Sequence, residues 1–150
     1  MASTLTSILM HYVFSTKDRQ PRIAAQIEPE LYAYIGGICK GNSSKLSAAG
    51  GTSDHIHLLV SVGKTIATSD LLQHVKGDSS KWIKTKGAEF GGFKWQEGYG
   101  GFSIGQSQGA ALERYFNRQK EHHRRVTFQE EFLALLRKYK VEYDERYIWS

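Results

Sequence analysis

Two histidines separated by one isoleucine, His55 and His57, are the first residues here whose types and spacing suggest chemistry. They lie in S-D-H-I-H-L-L-V-S-V, residues 53–62, an apolar run that predicts a strand. Alternate side chains of a strand share a face, so the two imidazoles lie about 7 Å apart and can converge on one metal ion. A catalytic metal usually takes about three protein ligands. The pair therefore predicts a metal site only if another ligand and a reacting group lie elsewhere; otherwise both are surface or cross-strand groups.

A tyrosine and a glutamine offer those groups in L-E-R-Y-F-N-R-Q-K-E-H-H-R, residues 112–124. Tyr115 and Gln119 are four residues apart and therefore share a face of a helix. The phenol is a nucleophile used in covalent catalysis, and the amide oxygen suits a divalent cation such as Mg²⁺ or Mn²⁺. The alternative is a tyrosine at the edge of the core and a glutamine on the surface. Asp54 either orients a histidine or caps the turn before the strand.

Several further segments have to position these residues. Apolar spacing and turn residues predict strands at 7–15, 44–49, 54–62 and around a glycine turn within 93–105, and helices from Glu28, from Ser69 to Gly87 and from about Ser107 to His122. A last helix begins at T-F-Q-E, where Thr127 and Glu130 form a capping box.

The order of these elements is β-α-β-β-α-β, followed by two helices. It predicts an α+β fold with a ferredoxin-like (RRM-like) antiparallel sheet that carries helices on one face. Ile56, Leu58 and Val60 point into the core, opposite to the two histidines. The extra C-terminal helices pack either on the same sheet or on a partner subunit. No linker or repeat interrupts the 150 residues, so we expect a single domain over 1–150.

Composition favours a protein of the cytoplasm with a modest preference for polyanions. Lys and Arg number 20 against 15 Asp and Glu, for a net charge of +5. The single cysteine, Cys39, fits a reducing compartment. No stretch reaches the roughly 20 apolar residues that span a membrane, and the N-terminus is too polar for a signal peptide.

The ordered motifs resemble those of the single-tyrosine HUH transposases, the TnpA group of small bacterial insertion sequences, in which HUH denotes His, a bulky apolar residue and His. The resemblance is carried by D-H-I-H-L-L-V, W-Q-E-G-Y-G-G-F-S, Y-F-N-R-Q-K-E-H-H-R and F-Q-E-E-F-L-A-L-L-R-K-Y-K-V-E-Y-D-E-R-Y-I-W, and covers nearly the whole chain. Two positions depart from the family pattern: Ser53 stands where proline is frequent, and Arg118 where asparagine is common. Neither touches a reacting group, so they bear on DNA specificity more than on catalysis.

This resemblance implies a definite activity. Members of the family cut and rejoin single-stranded DNA at hairpin-marked element ends through a 5′-phosphotyrosine intermediate. By motif, His55, His57 and Gln119 would hold Mg²⁺ or Mn²⁺, and Tyr115 would be the nucleophile. Family members form homodimers in which the tyrosine helix of one subunit serves the histidine pair of the other. We therefore expect a bacterial or archaeal enzyme of the cytoplasm that acts at the nucleoid. Whether Tyr115 acts in cis or in trans stays open.

DNA binding needs a basic surface with exposed aromatic rings. The candidates for phosphate contacts are Lys81, Lys84, Lys94, Arg114, Arg118, His122 and His123. The candidates for base stacking are Trp82, Trp95, Tyr99 and Phe102, although Trp82 falls on the apolar side of its helix. Each cluster of charges is otherwise an ordinary solvated helix face.

Four other functions compete with this interpretation. A histidine-triad hydrolase needs a third histidine at position 59, where Leu59 stands, and a cupin-like enzyme needs a glutamate that 58–62 lack. A non-catalytic single-stranded-DNA-binding module would form no covalent adduct with DNA. A domesticated endonuclease that cuts repeat hairpins would differ from a transposase only in its genomic surroundings. The sequence does not specify the hairpin, the target sequence or the native metal.

Overall fold

The structure is a computed structural model that describes residues 3–150. Its strands are β1 (Leu9–Ser15), β2 (Lys45–Gly51), β3 (His55–Ser61) and β4 (Gly100–Ile104). Its α-helices are α1 (Glu28–Gly41), α2 (Thr68–Lys84), α3 (Gly109–Asn117), α4 (Gln119–His122) and α5 (Phe128–Lys138).

The four strands form one antiparallel sheet in the order β2-β3-β1-β4. Together with α1 after β1 and α2 after β3, this order confirms the predicted ferredoxin-like βαββαβ arrangement. The strand that carries the histidine pair is central. β1 flanks it on one side, with Val13 opposite His57, and β2 flanks it on the other, with Gly50 opposite His57.

Both faces of the sheet are covered, which explains why β3 is buried over almost its whole length. Helices α1 and α2 pack on the face that carries Ile56, Leu58 and Val60, as the alternation predicts. The extra C-terminal helices pack on the histidine face: Phe116 of α3 contacts the Leu59 side of β3, and Phe132 of α5 packs against Val13. The histidines are therefore enclosed between the sheet and these helices and are not surface groups.

Three predicted boundaries are wrong. The helix expected over 107–122 breaks at Arg118, whose φ of −102° and ψ of 10° separate α3 from α4. Helix α2 begins one residue before Ser69, after the extended residue Ala67, with no side-chain cap. The fourth strand starts only at Gly100, because Trp95 turns into the core against Phe14 and forms only an isolated bridge with Thr16, the residue after β1.

The capping box of α5 is confirmed. Thr127 Oγ1 accepts a hydrogen bond from the Glu130 amide, while the Glu130 side chain reaches back to the Thr127 amide. This start fixes the rotation of α5 and points its buried face at the histidines. Over residues 3–150, no helix is both long and apolar enough to cross a bilayer.

Candidate metal centre and nucleophile

The imidazoles of His55 and His57 point into the space between the sheet and the C-terminal helices, and neither is exposed. The Nδ1 atom of His55 lies 2.8 Å from Asp54 Oδ1 and donates a hydrogen bond to it. Asp54 thus orients a histidine, one of the two roles considered for it. The Nε2 atoms of the pair face inward, His55 toward Gln119 and His57 toward Glu131.

Glu131, on α5, is the centre of the site. Its Oε1 atom accepts hydrogen bonds from His57 Nε2 at 3.0 Å and His123 Nε2 at 3.1 Å, and lies 3.5 Å from His55 Nε2. Its Oε2 atom accepts a hydrogen bond from Gln119 Nε2 at 3.0 Å and a very short one from the Tyr115 hydroxyl. The carboxylate is only 4% exposed. A single buried anion therefore joins the histidine pair to the candidate nucleophile.

Tyr115 and Gln119 reach the histidines of their own chain. The ring of Tyr115 lies edge-on to His57, with 5.8 Å between centroids, and Gln119 Oε1 lies 2.8 Å from His55 Nε2. Helix α3 comes this close because Gly50 of β2 has no side chain. A Cβ atom there would lie 2.7 Å from the carbonyl carbon of Phe116.

The electrostatics follow from burial and from the shared carboxylate. Burial alone favours the protonated acid at Glu131, but hydrogen bonds from His123 and His57 outweigh it and hold the pKa of Glu131 far below its ordinary value. Burial lowers the pKa of His57. Burial and the hydrogen bond to Glu131 raise the pKa of the Tyr115 phenol. Glu131 is therefore ionised, while Tyr115 keeps its proton.

Side chains of four residues can hold a metal ion here. One ligand atom from each of His55, His57, His123 and Glu131 lies within 4.8 Å of all the others. Imidazole and carboxylate are both ligands of first-row divalent metals. Because Nδ1 of His55 is hydrogen-bonded to Asp54, Nε2 is the His55 atom that faces the site and can bind a metal. Gln119 touches both His55 and Glu131 and is 1% exposed, so its amide lies at the edge of this set.

The predicted DNA-binding residues separate into two groups. Arg118 and His122 line a groove of about 540 Å³ that also exposes Tyr115, and Arg114 is exposed on the same helix segment. Lys81 and Lys84 lie on α2, beyond the opposite face of the sheet, and Lys94 lines a groove beside that helix. His123, predicted to contact DNA, lies instead among the metal-ligand candidates, half-buried.

Two of the aromatic residues proposed for base stacking are buried. Trp95 is 7% exposed and packs edge-on against Phe14, while Phe102 is 3% exposed and stacks on Tyr139. Stacking by these two residues is therefore a wrong prediction, because core packing buries both rings. Tyr99 and Trp82 keep part of their surface exposed.

Sequence reasoning missed Glu131. One signal was available, since Glu131 lies three residues after Phe128 and four before Leu135, within the apolar stripe of α5. A carboxylate on the buried face of a helix requires partners, and a fold with two inward histidines supplies them.

Comparison with known proteins identifies a family and two solved structures with a similar fold. The family model described as "Transposase IS200 like" matches residues 4–119. A Deinococcus radiodurans protein described as a candidate transposase superposes with a TM-score of 0.62 at 20% identity, over 79% of this chain and 95% of the other. A REP-associated tyrosine transposase bound to a REP hairpin superposes with a TM-score of 0.60 at 12% identity, over 84% of this chain and 76% of the other. A search of curated proteins finds no match.

The two solved structures share the fold, and the family model covers most of the chain, including both histidines, Tyr115 and Gln119. The chain therefore belongs to the IS200-like transposases, the single-tyrosine HUH family.

Proposed function

We propose that this transposase cleaves and rejoins single-stranded DNA, with Tyr115 as the nucleophile and a 5′-phosphotyrosine as the intermediate. The observation that carries the proposal is the shared carboxylate: Glu131 accepts hydrogen bonds from Tyr115 on one oxygen and from His57 and His123 on the other. A reacting phenol thus lies beside a set of metal ligands within one buried cluster.

His55, His57, His123 and Glu131 are the proposed ligands, and Gln119 is the candidate for a further position. A divalent ion bound there would withdraw charge from the scissile phosphate and stabilise the transition state. Of the two predicted ions, Mn²⁺ suits a set with three imidazoles better than Mg²⁺, which prefers oxygen ligands. The chemistry of the side chains thus fits the family's use of a metal.

In the cleavage step, Tyr115 Oη attacks phosphorus and the bond from phosphorus to the 3′-oxygen of the preceding nucleotide breaks. Glu131 Oε2 accepts the phenol's hydrogen bond and is the nearest base for its proton. The leaving 3′-oxygen takes a proton and becomes a hydroxyl. Attack by a 3′-hydroxyl on the phosphotyrosine reverses the step and joins DNA, so the reaction needs no nucleotide cofactor.

The groove beside Tyr115 is the proposed path of the DNA strand. Arg118, His122 and Arg125 line it and supply positive or polar groups for phosphates. The solved REP-associated relative is bound to a hairpin, which favours hairpin-bearing single strands as the substrate here. A domesticated hairpin endonuclease would use the same residues. A binding module without catalysis is less well supported, because it has no use for a half-buried phenol beside metal ligands.

We also propose that Tyr115 acts in cis. The phenol already contacts the cluster of its own chain, so no residue from a partner is needed to complete the site. A homodimer stays a prediction. Mixing the Tyr115→Phe and His57→Asn variants, each inactive alone, distinguishes action in cis from action in trans. Active sites that are shared between subunits regain activity in the mixture, whereas active sites built within one chain do not.

A covalent-adduct assay tests the function itself. Purified protein is incubated with end-labelled hairpin single strands from its own genomic flanks and with Mn²⁺ or Mg²⁺, then run on a denaturing gel. We expect a metal-dependent protein–DNA band that is lost in Tyr115→Phe and kept in Tyr34→Phe, a control on the exposed face of α1. If wild-type protein binds the DNA but forms no band with either metal, the proposed function is wrong and the chain is a binding module.

A further inference from the structure

Another histidine, His11 on β1, contacts His57 from the neighbouring strand of the sheet. Its Nε2 atom lies 2.8 Å from His57 Nδ1, and the two rings stack with 5.0 Å between centroids. His11 is not exposed, and Phe102 and Phe116 pack against its ring. Among the described residues, its Nδ1 atom has no hydrogen-bond partner. The metal-ligand set does not include it.

We propose that His11 is the positioning residue of His57: it holds the ring so that Nε2 faces the site, and it pairs with Nδ1 of His57 whichever nitrogen of His57 carries the proton. The inference rests on the proposed metal site. It assigns His57 a partner at Nδ1, the same atom through which Asp54 holds the other histidine of the pair. Outer partners of this kind fix the tautomer and the orientation of a metal-bound imidazole.

The hydrogen bonds in the structure identify the metal-free tautomers. His57 Nε2 faces the Glu131 carboxylate and must donate, so its proton is on Nε2. Neutral His57 then accepts at Nδ1 from the Nε2–H group of His11. The unpartnered Nδ1 atom of His11 is consequently a bare acceptor. This arrangement leaves no buried N–H group without a partner in the two rings.

For a metal to be held by His57, the lone pair of Nε2 would have to be free, so the proton of His57 would lie on Nδ1 and be donated to His11 Nε2. The proton of His11 would then lie on its own Nδ1 atom, which has no hydrogen-bond partner among the described residues. The two rings carry two protons before and after, and only their positions change. An aspartate cannot accommodate both states, because an ionised carboxylate only accepts hydrogen bonds, whereas a histidine can donate in one and accept in the other.

Two-bond ¹H–¹⁵N correlation spectra of the histidine rings test this in the wild-type protein. We expect the Nε2–H tautomer for both His11 and His57 without metal. On addition of Zn²⁺, used as a diamagnetic probe, both should change to the Nδ1–H tautomer. A His11 ring that keeps its tautomer while His57 changes would overturn the proposal, as would coordination of Zn²⁺ through Nδ1 of His57.

Variants provide an independent readout, the Mn²⁺ affinity measured by electron paramagnetic resonance. His11→Phe fills the space without a hydrogen bond and should weaken Mn²⁺ binding by about 10–100-fold, as the loss of outer-shell partners does. His11→Gln places an amide near the position of Nε2, donates or accepts as required, and should recover most of the affinity. His74→Gln, on the exposed side of α2, is the matched control and should bind as wild type does.

The outcomes distinguish the two proposals. Wild-type protein that binds no Mn²⁺ would refute the metal site itself. Wild-type and His11→Phe proteins that bind Mn²⁺ equally would refute only the role of His11. Equal weakening in His11→Phe and His11→Gln would also count against it, because a packing defect and not the hydrogen bond would then explain the loss. If His11→Phe does not fold, the spectra of the wild-type protein decide.

Discussion

The contact between Gly50 and α3 makes the position of the proposed nucleophile, Tyr115, testable by adding one methyl group. An ideal Cβ at Gly50 would lie 2.7 Å from the carbonyl carbon of Phe116 and 2.8 Å from its Cβ atom. Carbon atoms pack at about 3.5–4.0 Å, so Gly50→Ala must move the helix away by about 1 Å. No change of rotamer relieves the overlap, because these are backbone atoms and the first side-chain atom.

The expected effect on activity is larger than the effect on stability. Overpacking of this kind costs about 1–3 kcal/mol, which leaves a domain with a typical stability of about 5–15 kcal/mol mostly folded. Tyr115 directly precedes Phe116, so the phenol moves with the helix. A displacement of about 1 Å at a reacting group can cost about 100-fold in rate.

Urea denaturation and the rate of adduct formation, measured on the same preparations, separate the two effects. Gly37→Ala is the matched control, since it makes the same chemical change in α1 at a position with no atom within 4 Å of the new methyl group. It should gain about 0.5–1 kcal/mol in stability and leave the rate unchanged. If Gly50→Ala shows wild-type stability and a wild-type rate, α3 does not pack on β2 as described, and the argument for catalysis in cis fails.

Three further predictions concern stability. Glu131→Gln replaces one carboxylate oxygen with an NH₂ group that cannot accept, and should lower the unfolding free energy of the metal-free protein by about 3 kcal/mol at pH 7. The folded-state pKa of Glu131 lies far below its ordinary value of 4.5 because hydrogen bonds from His123 and His57 outweigh burial, so this contribution is complete above about pH 4.5 and is lost as the pH falls. Urea titrations should show wild type more stable than Glu131→Gln at pH 7, with a smaller gap at pH 4; the exposed Glu113→Gln is the control, and equal stability of wild type and Glu131→Gln at pH 7 would refute the prediction. Thr127→Ala removes the cap of α5 and should cost about 1 kcal/mol in the same assay, whereas Thr127→Ser should cost little. Burial lowers the pKa of Lys76 to about 8 from 10.5, so between these values the unfolded chain binds more protons and this lysine makes stability rise with pH. Lys76→Met should lack that rise in urea midpoints measured from pH 7.5 to 10.5, and identical slopes would contradict the shift.

The sheet could be predicted from the sequence because the patterns that indicate strands are local. Alternation along 54–62 separates Ile56 and Leu58 from the histidines, and the order of elements leaves one simple antiparallel topology. The capping box at Thr127 likewise fixes the start of α5 from four residues. Boundaries failed where tertiary packing overrides local preference, as at Trp95, which leaves the expected strand to fill the core.

The site was only partly predictable, because its residues come from four separate elements. Tyr115 and Gln119 were found by their helical spacing, and the structure brings both to the histidines in spite of the break at Arg118. His123 carried no pattern of its own as a ligand, and Glu131 carried only the indirect signal of a carboxylate within an apolar helix stripe. Their role depends on how α4 and α5 dock on the sheet, which is a property of packing and not of spacing.

The strand alone supplies two imidazoles, which are too few to hold a catalytic metal. The C-terminal helices that cover the strand also bring the proposed nucleophile, a third imidazole and the carboxylate that contacts them all. Burying the histidine face and assembling the site are therefore one packing event. A substitution that loosens α3 or α5 from the sheet should abolish chemistry before it unfolds the ferredoxin-like core.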